Sequence, residues 1–149
     1  MHKGKFLPPV YLLLALILAL ALHWFVPVAT VVPRPWNYLG AVFILFGITL
    51  IVVPARAFSA RGTAIKPFDE SSVLVQDGFN AISRNPMYLG MVGLVLGVAI
   101  WLGSATPLVT PIVLLTILQM LFIRVEEGML QAKFGDEYRS YMARVRRWL

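Results

Sequence analysis

Residues 86–123 read PMYLGMVGLVLGVAIWLGSATPLVTPIVLLTILQMLFI. Two apolar runs, Pro86–Leu102 and Pro107–Ile123, flank the short turn Gly103, Ser104, Ala105, Thr106, and neither run contains Lys, Arg, Asp or Glu. Each run is about long enough for a helix to cross roughly 30 Å of hydrocarbon. A turn this short joins antiparallel neighbours, so the stretch predicts a helical hairpin in a bilayer. Working outward, Pro8–Val26 and Asn37–Val53 are two more uncharged apolar runs. The expected fold is an all-α integral membrane protein. It has four transmembrane helices and an amphipathic C-terminal helical tail, in a single domain over residues 1–149.

Composition points the same way. Hydrophobic residues make up 59% of the 149 positions and charged residues 13%, against a usual charged share of about 25%. Mean hydropathy is +0.79. A soluble domain of this size could not cover that much apolar surface. No small-residue cleavage site follows the first run, and His23, Trp24 and Phe25 read as an interface, which argues against a cleavable signal peptide. The chain has no cysteine. Disulfides, thiolate metal sites and cysteine nucleophiles are therefore excluded, and no metal site is expected.

The formal charge is +6 and the pI about 10.1. The basic residues flank the apolar runs, so membrane lipid is the expected partner and nucleic acid is not. Lys3 and Lys5 precede the first run. Arg56, Arg61, Lys66 and Arg84 lie between the second and third. Arg124, Lys133, Arg139, Arg144, Arg146 and Arg147 follow the fourth, and only Arg34 lies between the first and second. Both termini and the middle loop are expected on the cytoplasmic side. The expected location is the plasma (inner) membrane of a prokaryote. All seven acids fall on the same side, which leaves the opposite face with almost no polar chemistry.

Small residues are expected to set the packing. Gly93 and Gly97 are four apart and share a helix face, where backbones can approach closely. Gly40 and Gly47 read the same way. Pro111 either kinks the fourth helix or sits in its first turn. Met129, Leu130, Phe134, Tyr138, Tyr141, Met142 and Val145 make the tail amphipathic, and Gly135 is expected to break it. Its basic end, from Arg144 to Trp148, is expected at the lipid headgroups.

Two segments could carry chemistry. In Ser83-Arg84-Asn85-Pro86-Met87-Tyr88, Asn is a favoured N-cap and Pro a favoured first helical residue. The free N–H groups of that helix start, with Arg84 beside them, form an anion site. The plainer alternative is a capped helix with a snorkelling arginine. In Arg124-Val125-Glu126-Glu127, two adjacent acids at the end of a span could hold an ammonium group, or could simply be solvated beside Arg124. Together the two segments suit an amino acid zwitterion. The loop from Pro54 to Ser83 is long, with turns marked at Gly62-Thr63, Lys66-Pro67 and Asp77-Gly78, and its Val73-Leu74-Val75 segment could fold over a ligand.

These residues in this order resemble the isoprenylcysteine carboxyl methyltransferase family and its phospholipid methyltransferase relatives. The resemblance rests on Gly62, Thr63 and Pro67, on Leu74, Val75 and Gly78, and on Arg84, Asn85, Pro86, Tyr88 and Gly90. It continues through Glu126, Glu127, Phe134, Gly135, Tyr138, Tyr141 and Arg144, and covers roughly residues 56–149. It implies an S-adenosyl-L-methionine site in residues 54–90 and 124–149. Ser72, Val73, Leu74, Val75 and Asn80 would line it. Arg84, Asn85, Pro86, Met87 and Tyr88 would hold the methionine end and ring region, and Glu126 its ammonium group. Arg124 would orient an acidic acceptor, and Glu127 is the nearby helper for an amine acceptor. Asn85 departs from the usual His, and Asn80 stands where an aromatic residue is common.

The expected activity is methyl transfer to a lipophilic acceptor entering from the bilayer. A carboxylate acceptor is favoured because it needs no general base and the only histidines are His2 and His23. Two other readings compete. One is an NADPH-dependent sterol-reductase-like enzyme, against which stand the short chain and the missing Gly-x-Gly-x-x-Gly. The other is a small transporter or helper subunit, whose usual ionisable residue within a span is missing.

Overall fold

The computed structural model describes residues 6–63, 69 and 71–149. Five helices carry the fold: α1 Pro8–Phe25, α2 Leu39–Ala60, α3 Pro86–Leu102, α4 Val109–Leu118 and α5 Arg124–Arg144. A π turn, Gln119–Ile123, joins α4 to α5 without a break, and 3-10 turns at Trp36–Tyr38 and Thr106–Leu108 lead into α2 and α4. Among the described residues there is no strand, only an isolated bridge between Thr30 and Ser104. Helices over Pro8–Phe25, Trp36–Ala60 and Thr106–Arg144 are long and apolar enough to cross a membrane, and the shorter Pro86–Leu102 is apolar throughout. The protein is an all-α, multi-pass membrane protein, as the sequence predicts.

The central helix is α3, which packs against α1, α2 and α4. Val95 and Ala99 on α3, with Leu118 and Phe122 from the fourth span, have no exposed surface. Outward-facing Leu13, Leu45, Phe46 and Ile112 remain exposed, as a lipid-facing surface requires.

Two boundaries differ from expectation. The second helix does not stop at Val53 but runs seven residues further, through Pro54, to Ala60. Proline removes one helical N–H, a loss that packed neighbours in a membrane bundle absorb, and Pro54 is buried here. The loop therefore begins at Arg61. Its expected turn at Lys66-Pro67 lies outside the described residues. Pro111 sits in the first turn of α4, where its missing N–H is not needed.

The glycine pattern also differs. The close approach uses Gly90 and Gly97 of α3, not the Gly93 and Gly97 pair. Their partners are Gly47 and Gly40 on antiparallel α2. A Cβ at Gly90 would lie 2.6 Å from Gly47 O, and one at Gly97 would lie 2.7 Å from Gly40 O. A Cβ at Gly93 would meet only Gly47 Cα, at 4.0 Å. The contact repeats every seven residues because two turns of helix restore the same face. Gly97→Ala should destabilise the bundle by about 1–3 kcal/mol through overpacking against backbone. Gly93→Ala should change stability by less than about 0.5 kcal/mol. Thermal unfolding in detergent reads both, and equal effects would contradict the assignment.

Gly135 interrupts α5 as expected. Its φ of 52° and ψ of −119° lie outside the helical region, in space that residues with a Cβ rarely enter. The bend turns Tyr138, Tyr141 and Val145 inward to form a second small core with Leu74, Leu130, Phe134 and Met142.

Candidate functional site

Where α2 ends and α3 begins, a cavity of about 510 Å³ opens, within the range of roughly 300–1,000 Å³ usual for small-molecule sites. Phe58 of α2, Val73 and Leu74 of the loop, Tyr88 of α3, and Leu130 and Tyr138 of α5 form its walls. The kink at Gly135 lets one helix supply two walls.

Of the sequence-predicted residues, Val73, Leu74, Val75, Asn80, Arg84, Asn85, Pro86, Met87, Tyr88, Glu126 and Glu127 all line this one cavity. Two do not. Ser72 faces the end of α2: its N–H donates to Thr63 Oγ1 at 3.1 Å and its hydroxyl to Gly62 O at 3.3 Å. Ser71 lines the cavity in its place. Arg124 is exposed and lies outside the cavity lining. It precedes Glu126 by two residues, a turn of about 200° around the helix, so the two point apart.

Glu126 is held by Tyr88, whose hydroxyl donates to Oε1 at 2.5 Å. Glu126 Oε2 has no hydrogen-bond partner among the described residues. Glu126 lies beyond the apolar run. Burial raises its pKa above the usual carboxylate range; the Tyr88 bond opposes that rise, and neighbouring Glu127 adds to it. An ammonium group at Oε2 would relieve the buried carboxylate.

Glu127 belongs to a charged triad. The Arg147 fork donates to it from Nε at 3.0 Å and from Nη2 at 2.6 Å. Arg84 Nη1 approaches from the other side at 3.2 Å. Both oxygens are thus engaged, and Glu127 serves to fix two arginines in place. Beyond that ion pair at Nη1, Arg84 Nε is buried without a hydrogen-bond acceptor among the described residues. A buried guanidinium with open donors is completed by an anion.

Asn85 occupies the cap position but makes no side-chain cap bond. Its Nδ2 donates instead to Arg147 O at 3.1 Å. The plain capping role is therefore corrected: the amide is drawn to the C-terminal segment, and the N–H groups at the start of α3 stay uncapped by it. Residues 145–148 form a strap that also accepts from Arg84 N–H at Arg146 O, 3.0 Å, and from Ser83 hydroxyl at Arg147 O, 3.3 Å. Trp148 ends the strap. Its Nε1–H donates to Gln119 Oε1 at 2.9 Å, on the π turn, and its ring packs on the main core. Arg147 and Trp148 thus turn inward rather than out to the headgroups, while Arg144 and Arg146 stay exposed. Trp148→Phe, which loses the bond and leaves a smaller ring against the core, should cost at least about 1 kcal/mol. Chemical unfolding measures it, and an unchanged midpoint would remove the strap's role.

Sequence reasoning did not assign Tyr138 and Tyr141 to the site. Both line the cavity. Tyr141 hydroxyl donates to Asn80 O at 2.5 Å, and burial, followed by the charge of Glu127, pushes the Tyr138 phenol up to about 12. Their spacing of three was the signal, since it sets both rings on one face of the helix after Gly135.

A multi-pass membrane protein with acids and an arginine lining one cavity at its helix ends is the class these features define. The chain belongs to the phospholipid methyltransferase family, whose pattern matches residues 36–137. A stretch of 63 residues is 40% identical to an uncharacterized protein of Haemophilus influenzae, covering 42% of this chain and all of that relative. Family membership supports a membrane methyltransferase over the reductase and transporter readings.

Proposed function

We propose that the cavity binds S-adenosyl-L-methionine and that the protein methylates a lipophilic acceptor, with a carboxylate the favoured class. One observation carries this: Arg84, whose buried Nε has no hydrogen-bond acceptor among the described residues, and Glu126, held at Oε1 by Tyr88, line the same cavity. The zwitterionic end of the ligand offers a carboxylate to the first and an ammonium to the second. Val73, Leu74 and Met87 supply the apolar remainder.

When bound, the sulfonium supplies an electrophilic methyl, which passes to the acceptor oxygen while the sulfur keeps the bonding pair and S-adenosylhomocysteine leaves. The chain's own part is positioning and exclusion of water. Glu127, the candidate helper for an amine acceptor, is engaged by Arg147 and lies beside Arg84, so it is not free to serve as a dedicated base. That favours an acceptor that is already anionic. The distribution of basic residues supports a cytoplasmic cavity. An acceptor with an apolar tail reaches it from the surrounding lipid.

Purified protein in lipid vesicles, given methyl-tritiated S-adenosylmethionine and a membrane lipid extract, should move label into the organic phase. The label should be released as methanol by mild base, as a methyl ester requires. Base-stable label would overturn the carboxylate in favour of an amine, and no organic-phase label would overturn the transfer itself.

A further inference from the structure

The opposite end of the bundle is not empty of polar chemistry. A second cavity, of about 360 Å³, lies where α1 and α3 end and α2 begins. His23, Arg34, Asn37, Tyr38 and Trp101 line it. The first cavity lies at the other ends of α2 and α3, so the two sites sit at opposite faces of the helix bundle.

Three features at this cavity ask for a ligand. Arg34 is exposed, and no acid of the sequence lies within the 60 residues that precede Arg61, so the chain offers it no carboxylate nearby. His23 is anchored through Nδ1, 2.7 Å from Ser104 Oγ, which leaves its other ring nitrogen for the cavity. Asn37 is 8% exposed; its Nδ2 donates to Trp101 O at 3.0 Å and its Oδ1 has no partner among the described residues. The Nδ2 bond to a carbonyl fixes which amide atom is the acceptor. A ligand bearing both an anion and a proton donor matches this set.

The surroundings say where such a ligand comes from. Trp24, Trp36, Tyr38 and Trp101 are all exposed around the same end. Rings of Trp and Tyr mark headgroup depth in a bilayer, which places Arg34 at the level of lipid phosphates. We infer that the cavity formed by His23, Arg34, Asn37 and Tyr38 is a binding site for a phospholipid headgroup that carries a proton donor beyond its phosphate. The phosphate pairs with Arg34, and the headgroup hydroxyl or ammonium turns toward Asn37. The chain holds this lipid at the face away from the transfer cavity, as a structural partner.

Native mass spectrometry of the detergent-solubilised full chain, titrated with single lipids, tests the site. Dioleoylphosphatidylglycerol and dioleoylphosphatidylethanolamine should each bind about tenfold or more tighter than dioleoylphosphatidylcholine, whose headgroup has no proton donor. Arg34→Gln should weaken phosphatidylglycerol binding by about tenfold or more and leave S-adenosylmethionine binding unchanged. Equal binding of all three lipids, or an unaffected Arg34→Gln protein, would overturn the site. Soluble glycerol 3-phosphate competing as well as the lipid would overturn the lipid as its occupant. The headgroup series uses unaltered protein, so it decides the matter even if the variant misfolds.

Discussion

Glu126→Gln should weaken S-adenosylmethionine binding by about a hundredfold while the bundle stays folded. Glutamine keeps the shape of the side chain and can still accept from Tyr88, so the 2.5 Å bond that orients it is replaced in kind. What disappears is the negative charge proposed to meet the ammonium group. In a buried site that charge-assisted bond is worth about 1.5–3 kcal/mol, and the unpaired ammonium adds a desolvation cost. Unfolding temperature should hardly move, because no ion pair among the described residues is broken. Isothermal titration with S-adenosylmethionine reads the affinity. Affinity within about threefold of the parent protein would mean that Glu126 does not receive the ammonium.

Glu127→Gln should do the reverse, striking stability first. The Glu127 and Arg84 side chains are only 13% and 10% exposed, and Arg147 is 35% exposed. Removing the shared carboxylate leaves two guanidinium groups facing each other, which by the usual cost of breaking a buried pair is about 3–5 kcal/mol. The damage should spread to the strap, because Arg147 O holds Ser83 and Asn85. Arg147→Gln should cost less, since Arg147 reaches solvent and Arg84 still pairs with Glu127. Chemical unfolding of both variants gives the comparison. A Glu127→Gln loss below about 1 kcal/mol would contradict the triad.

These two neighbours in sequence therefore do different work. Glu126 presents an oxygen to the cavity, and Glu127 locks the arginine opposite. A Glu-Glu pair cannot announce that division, because the partners Tyr88 and Arg147 come from other parts of the chain. The spans were legible because uncharged apolar runs of about 17 residues have few other uses in water. Pro86–Leu102 matches its helix residue for residue. Pro54 misled the second boundary, since proline usually ends a helix in water but is absorbed in a packed membrane bundle.

Most of the candidate cavity's lining was legible as well. Arg84-Asn85-Pro86 and Glu126-Glu127 stand out as charged and capping residues at helix ends, and all of them line the cavity. Ser72 and Ser71 were interchanged because a short extended segment gives no sign of which face it turns inward. Arg124 was misplaced for a different reason: adjacency in sequence is not adjacency on a helix face. The strap was illegible because a basic end reads as a headgroup anchor until its partners, Glu127 and Gln119, are located in space. The second cavity was likewise hidden, since His23, Arg34, Asn37 and Trp101 converge only after three helices are packed.

The most direct test is a structure determined with S-adenosylhomocysteine added. Density for the amino acid end should lie in the first cavity, its ammonium beside Glu126 Oε2 and its carboxylate against Arg84 and the start of α3. Nucleoside density elsewhere, or an amino acid end turned away from Glu126, would contradict the proposed binding mode.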